Sequence, residues 1–381
     1  MNQAHQARET RASQPIQDEI KLKKQTLTEF MAKHNLAGVL LNKHQDVAWI
    51  TAGQVDMRVN IPSEAGGSAS VFVRRDGGSF YITTHNEAPR MHDEEFSALP
   101  FEPVILPWTE GDFAQAARKM LPLGELLGSD TGDGDSEFVD ITELRAQLQP
   151  TEIERYRLLG SMTAGVVEDV ALHLEPGMTE YEISAMTASH LIQKGILPSV
   201  LLMAVDDRIL KYKHALPRGN RLEHFGMVNL CSRKWGLCIS MTRFVHFGPM
   251  PQALSDGFAA AAKVNAALLH ATRAGATSKQ LYEVGKNAYA AAGYPGEEAL
   301  HHLGGSTGYG EREWLVMPSG TEVVLDRQAF AWNPSVRGGK VEDTALLQNG
   351  AIEILTETTK FPDVVNAVDG VSYHSAGVLL Q

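Results

Sequence analysis

The chain has 381 residues, 43% hydrophobic and 21% charged, with a formal net charge of −12. That length accommodates two domains of ordinary size, and the composition is that of a soluble globular protein. The acidic balance, with no basic run, argues against nucleic acid or an anionic membrane as the main partner. No stretch approaches 18 consecutive apolar residues, so no transmembrane helix is expected. The first 15 residues are polar, without a signal peptide's apolar core, so the expected location is the cytoplasm. Cys231 and Cys238 flank a segment suited to a hairpin turn, lack zinc-ligand spacing, and are read as free thiols.

Residues 1–15 are read as disordered. Ile20, Leu27, Phe30 and Met31 recur at helical spacing, which predicts a helix over about 17–34. Ala37 to Leu41 reads as a buried strand, and Val47 to Thr51 as a second strand ending near Gly53. Ser68 to Val73 and Ser79 to Thr83 read as a hairpin around Arg75-Asp76-Gly77-Gly78. Alternating helices and strands over 16–150 suggest a three-layer α/β domain. Gln149-Pro150-Thr151 marks a boundary, with Thr151 and Glu154 as a capping box for a helix from Glu152 to Leu174. Pro176-Gly177-Met178-Thr179 ends that helix and caps the next, which runs to about Lys194. Strands follow from Val200 to Phe247, then helices over about 252–273 and 278–292, then strands to the end. Long helices on one curved antiparallel sheet give an α+β domain over 151–381.

The densest stretch runs from His301 to Thr344. It holds His301-His302-Leu303-Gly304-Gly305-Ser306-Thr307-Gly308-Tyr309, then Glu311-Arg312-Glu313, Trp332-Asn333-Pro334 and Val341-Glu342-Asp343-Thr344. The glycines let backbone approach a ligand or a neighbouring strand, and Pro334 ends a strand. With Glu152-Ile153-Glu154-Arg155-Tyr156-Arg157 and Leu174-Glu175-Pro176-Gly177-Met178-Thr179 upstream, this order resembles the pita-bread family of prolidase, aminopeptidase P, methionine aminopeptidase and creatinase. The resemblance implies a pita-bread catalytic domain over 151–381 and an α/β creatinase-like domain before it.

Dinuclear members of that family hold two divalent ions with two Asp, one His and two Glu. Laid on that pattern, those positions carry Asn229, Ser240, Gly305, Asn333 and Glu342. Only the last is a carboxylate, so the resemblance points to the metal-free, creatinase-like branch, with no metal ligands and no cofactor. His214 stands where creatinase has its general acid/base. Arg312, followed by Glu313, stands where creatinase's arginine grips the substrate carboxylate, a task suited to a guanidinium fork. Arg58 resembles an arginine that creatinase's first domain lends to the partner's site, which implies a homodimer. Creatinase's two guanidinium-binding glutamates fall near Thr242 and on Asn333, so the reactive group here is expected to be neutral, held by Asn229 and Asn333. Tyr309, Glu313 and Glu342 are candidates to line the pocket, with Tyr309 as a donor to a developing oxyanion. Glu342 either orients His214 or remains as a structural remnant.

The expected function is metal-independent hydrolysis of a C–N bond (amide, lactam or related) in a small carboxylate-bearing amino-acid derivative, with no nucleic-acid or membrane partner. Two alternatives stand beside it. One is a prolidase-like Xaa-Pro metallopeptidase; the other is a ligand-binding pseudoenzyme without turnover.

Overall fold

The apolar stripe of the first amphipathic segment forms a helix from Gln14 to Lys33 that buries Ile20, Leu27, Phe30 and Met31. Pro15 opens it, since a first-turn residue needs no amide donor. Gln14 and Pro15, which fall within the stretch expected to be disordered, are therefore helical. The computed structural model describes residues 13–60 and 65–381, and residues 1–12 of that expectation lie outside the described residues. The chain forms two units: Met1–Arg145 with Gln149–Glu152, and Ala146–Leu148 with Ile153–Gln381.

In the first unit six strands form one mixed sheet in the order β4-β3-β2-β1-β5-β6. They are β1 (Gly38–Leu41), β2 (Ala69–Arg74), β3 (Ser79–Thr84), β4 (Glu102–Leu106), β5 (Leu127–Ser129) and β6 (Glu137–Phe138). The β2–β3 hairpin turns at the residues expected, pairing Val73 with Ser79. The strand expected over Val47 to Thr51 is instead part of a helix, His44–Ile50. A short, wholly buried apolar run carries no period that separates strand from helix. Ala52 (φ 53°) and Gly53 (φ 70°) close it left-handed, and the Gly53 N–H donates to Ala48 O at 2.7 Å.

The second unit packs long helices on two sheets. Its first helix runs Pro150–Leu172, beginning earlier than expected because Pro150 sits in the first turn. Thr151 is therefore not the cap. The Glu152 carboxylate reaches back to the Gln149 N–H at 2.6 Å, while the Thr151 hydroxyl donates to Glu19. Thr179 with Glu182, and Thr277 with Gln280, form complete capping boxes for the helices Glu180–Ile192 and Ser278–Ala291. A further helix spans Gln252–Ala271.

One sheet has the order β19-β9-β8-β7, built from β7 (Leu197–Val205), β8 (Phe225–Lys234), β9 (Leu237–His246) and β19 (Val378–Leu380). The other is fully antiparallel, in the order β11-β10-β12-β15-β16. Its strands are β10 (Gly304–Thr307), β11 (Trp314–Leu315), β12 (Gln328–Trp332), β15 (Asp343–Gln348) and β16 (Ala351–Ile354). Two small ribbons complete the unit: β13 (Ser335–Val336) with β14 (Gly339–Lys340), and β17 (Asp363–Val368) with β18 (Val371–Ala376). A core of Leu268, Leu281, Tyr289, Leu303, Phe330 and Trp332 fixes the helices against the antiparallel sheet. Both cysteines are free thiols.

Candidate active site

The site forms where the two sheets of the second unit meet. Strands β8 and β9 are joined by a tight turn at Trp235 (φ 52°) and Gly236 (φ 77°), which fixes their register. Asn229 then faces Thr242, and Cys231 faces Ser240, so all four share one face of the ribbon. A bridge between Thr242 and Glu342 joins this sheet to the other, the Thr242 N–H donating to Glu342 O at 3.1 Å. The Thr344 hydroxyl clamps Ser240, accepting from its N–H and donating to its carbonyl, each at 2.9 Å.

Glu342 is the centre of this polar cluster and is 3% exposed. Its Oε2 accepts from Asn229 Nδ2 and Thr242 Oγ1, both at 2.6 Å, and from Lys340 Nζ at 2.8 Å. Arg312 Nη2 lies 3.5 Å from its Oε1. Burial alone would raise the acid's pKa; Lys340 and Arg312 outweigh it and hold the carboxyl down at about 2. Arg312 also donates to Ser240 Oγ at 3.1 Å and to the Glu311 carbonyl at 2.6 Å, while its buried Nε has no partner among the described residues.

His214 lies on the exposed loop after the short helix Asp207–Lys211. Its neighbour Lys213 tethers that loop, donating to Glu297 at 2.9 Å and to the Ser335 carbonyl at 3.0 Å. Ser335 is fixed in turn by Tyr289, whose hydroxyl accepts from the Ser335 N–H at 2.7 Å. The tether brings His214 Nε2 to 3.1 Å from His301 Nε2, and His302 completes a group whose ligand-type nitrogens lie within 4.8 Å of one another. Burial, then the charges of His302 and Lys340, drive His301 down to about 2. Burial and Arg312 take His302 to about 4, and burial with Lys340 lowers His214. All three rings are therefore neutral imidazoles at pH 7.

The structure thus brings together Asn229, Thr242, Arg312 and Glu342, with His214, His301 and His302 in electrostatic reach of Glu342. Asn333 follows β12 directly, is buried, and its Oδ1 has no partner among the described residues.

Other expectations change. Glu342 does not hydrogen-bond His214; it is engaged by Lys340, Thr242 and Asn229, and the partner of His214 is His301. Tyr309 is fully enclosed, and the Glu313 carboxylate accepts the backbone N–H of Tyr309 and Gly310 at 2.9 Å each. Both residues build the turn that presents Arg312 rather than a surface open to a ligand. Arg58 belongs to the first unit, where its guanidinium closes on Asp56 at 2.8 and 2.5 Å. Lys340, His301 and His302 went unassigned in the sequence. Their signals are present: Lys340 is two residues before Glu342, hence on the same face of an extended segment, and two adjacent histidines open the glycine-rich run.

The model of metallopeptidase family M24 matches residues 154–358, more than half of the chain. The chain belongs to that family. An uncharacterized peptidase of Staphylococcus aureus strain MW2 is 25% identical over 351 residues, covering 84% of this chain and 97% of that protein. Among solved structures, the prolidase from Pyrococcus horikoshii superposes with a TM-score of 0.73 at 18% identity, over 89% of this chain and 99% of its own. Dipeptidase PepE from Mycobacterium ulcerans does so with 0.74 at 14% identity, over 96% and 99%. These likenesses establish the pita-bread fold.

The residues at the five positions that the resemblance matches to the family's ligands do not fit a dinuclear centre. Asn229 and Asn333 are amides, the Ser240 hydroxyl accepts from Arg312, and Glu342 already faces the Lys340 ammonium. Gly305 has no donor, and a Cβ there would sit 2.0 Å from Trp314 O, so this backbone has closed over the space a histidine would need. A single carboxylate does not hold two hard divalent ions. Lys340 supplies, as a tethered side chain, the positive charge beside that carboxylate.

Proposed function

We propose that this M24 protein hydrolyses a C–N bond in a small peptide-like or amino-acid-derived substrate that carries a free carboxylate. Charge is the observation that carries the reading. Lys340 and Arg312 both face Glu342, and the Arg312 Nε has no partner among the described residues. A half-buried guanidinium with an unpaired N–H suits a substrate carboxylate, which supplies charge-assisted hydrogen bonds. In this reading Asn333, whose Oδ1 has no partner among the described residues, holds a neutral carbonyl or amide of the same molecule, since an amide has both a donor and an acceptor to offer.

In this reading His214 is the general acid/base. Its neutral ring takes a proton from the attacking water and returns it to the leaving nitrogen. The 3.1 Å contact lets His301 accept or donate that proton at Nε2, which sets the tautomer of His214. Arg58 would reach the site from the partner copy of a homodimer. The named relatives are peptidases and prolidases, which favours a peptide-type bond over the lactam. The family and these relatives favour more directly a second reading, a prolidase-like metallopeptidase whose ligands differ from the family's five positions.

Chelator-treated protein assayed on dipeptides, Xaa-Pro among them, with free or amidated C-termini tests both readings. Hydrolysis is expected only for the free acids. Arg312→Ala is expected to lower kcat/KM about 10- to 100-fold, as loss of a charged hydrogen-bond pair does. His214→Ala is expected to lower kcat about 100-fold or more with KM little changed. Activity that vanishes on chelation and returns with added metal would establish the metallopeptidase. Ligand binding without turnover in any substrate, indifferent to His214→Ala, would leave a binding protein.

A further inference from the structure

We propose that His214, His301 and His302 form a mononuclear site for a divalent transition-metal ion of the imidazole-binding kind, Zn2+ being the type. The site is separate from the five family ligand positions, none of which contributes to it.

Three observations converge. The three rings offer nitrogens that all lie within 4.8 Å of one another. The His214 and His301 Nε2 atoms are 3.1 Å apart. Two nitrogens bound at 2.0–2.1 Å around one tetrahedral zinc stand about 3.3 Å apart, so the pair is already near ligand spacing. His302 Nδ1 is buried and has no hydrogen-bond partner among the described residues. A buried ring nitrogen without a partner is a group waiting for one.

The surroundings also orient the rings as a ligand set requires. Ser335 Oγ lies 3.4 Å from His301 Nδ1, and the same serine holds Lys213, the residue beside His214. Such a hydrogen bond to the distal nitrogen fixes which nitrogen faces an ion. The chemistry of the ion follows from the donors. The nearby carboxylates that the structure describes are engaged: Glu342 by Lys340, Thr242 and Asn229, and Glu297 by Lys213. Magnesium, calcium and manganese, which prefer oxygen, are disfavoured; zinc, copper, nickel and cobalt suit imidazole. Lys340 and Arg312 oppose a nearby cation, so a site here favours ions that bind nitrogen strongly.

This inference goes beyond the proposed reaction and constrains it. A ring nitrogen bound to an ion cannot carry a proton, so metal loading and the acid/base role of His214 exclude each other in one molecule. The two ideas also depend on different residues: metal binding on His302, carboxylate binding on Arg312.

The full-length protein is stripped with chelator, dialysed against Zn2+ or Co2+ alone, and its metal content measured. One ion per chain is expected. Co2+ is expected to give the intense visible absorption of a four-coordinate site. His214→Ala, His301→Ala and His302→Ala should each abolish stoichiometric binding, whereas Arg312→Ala should retain it. His214 lies on an exposed loop, so its variant tests the site even if a buried-histidine variant fails to fold. Folded wild type that binds no stoichiometric ion overturns the proposal, and so does binding that persists in the triple variant. Dipeptide hydrolysis by the stripped protein that zinc suppresses would sustain both ideas. Activity that requires zinc would keep the site and discard the free-histidine mechanism.

Discussion

Two buried clusters of charge, one in each unit, differ in how completely their hydrogen bonds close. In the first unit Lys23 sits between Glu19 and Glu152, 2.7 Å from each, and donates to Trp49 O at 2.8 Å. The second oxygens of the two glutamates accept from the Thr151 hydroxyl and the Gln149 N–H. In the second unit Glu342 is well supplied, but the Arg312 Nε, Asn333 Oδ1 and His302 Nδ1 around it are buried and unpartnered among the described residues. Each such orphan costs about 1–3 kcal/mol. Three of them together are groups that a ligand or ordered water would complete. Lysine and glutamate thus serve in one place as a closed structural knot and in the other as part of an open socket.

The largest effect is expected from cutting the closed knot. Lys23→Met leaves two carboxylates facing each other at no more than 4% exposure, and breaking a buried pair from one side costs about 3–5 kcal/mol. The urea midpoint should fall accordingly; an unchanged midpoint would mean that Lys23 does not hold the cluster. Cutting the open socket should cost less. Lys340→Met leaves Glu342 with Thr242, Asn229 and Arg312, so a loss of about 1–3 kcal/mol is expected. With Lys340 gone, Arg312 is the remaining counter-charge of Glu342, so affinity for a carboxylate ligand should fall together with stability. A variant that loses stability but keeps full carboxylate affinity would remove Lys340 from the site.

Much of the socket was legible in the sequence through the family resemblance, which singled out Asn229, Thr242, Arg312, Asn333 and Glu342. Strand register then explains why Asn229, Thr242 and Glu342 meet. The histidine group was not, because it depends on a contact across 87 residues of chain. Nothing local in Tyr212-Lys213-His214 announces that Lys213 will be tied to Ser335. The helix His44–Ile50 was misread for the opposite reason: its signal is local, but a short buried run fits either conformation. Lys340 was overlooked because a lysine near a glutamate usually means solvent, and only its 8% exposure reveals the buried pair.

Acid should distinguish the socket from an ordinary surface. The ordinary histidine value is 6.5, whereas His302 is held near 4 and His301 near 2. The unfolded chain therefore binds these protons near pH 6.5 while the folded chain refuses them. Their contribution to stability is complete above about pH 6.5 and is lost as the pH falls toward 4. The slope is up to about 1.4 kcal/mol per pH unit for each ring. Glu342, lowered from 4.5 to about 2, adds a loss of the same sign below pH 4.5. Urea midpoints taken between pH 7 and pH 5 with chelator present should show this decline, and His302→Asn should flatten it. An identical slope in the variant would place the acid sensitivity elsewhere.

The smallest change in stability is expected at Asn333, and it is the sharpest test of an open socket. Its side-chain oxygen Oδ1 has no hydrogen-bond partner among the described residues, although the residue is only 2% exposed. In a closed cluster, replacing such a residue by an apolar one of the same shape would break partners and cost free energy. Here Asn333→Leu removes a desolvated group that has none, so stability should stay within about 0.5 kcal/mol of wild type or rise. Affinity for a carboxylate-bearing amide should nevertheless fall, because the lost oxygen and nitrogen are those a ligand would use. A drop of about 2 kcal/mol in stability would show that Asn333 already has a protein partner and that the socket is closed there. Unchanged stability with weakened binding would locate the cost of the unpaired group in the ligand-free protein and its return in the complex.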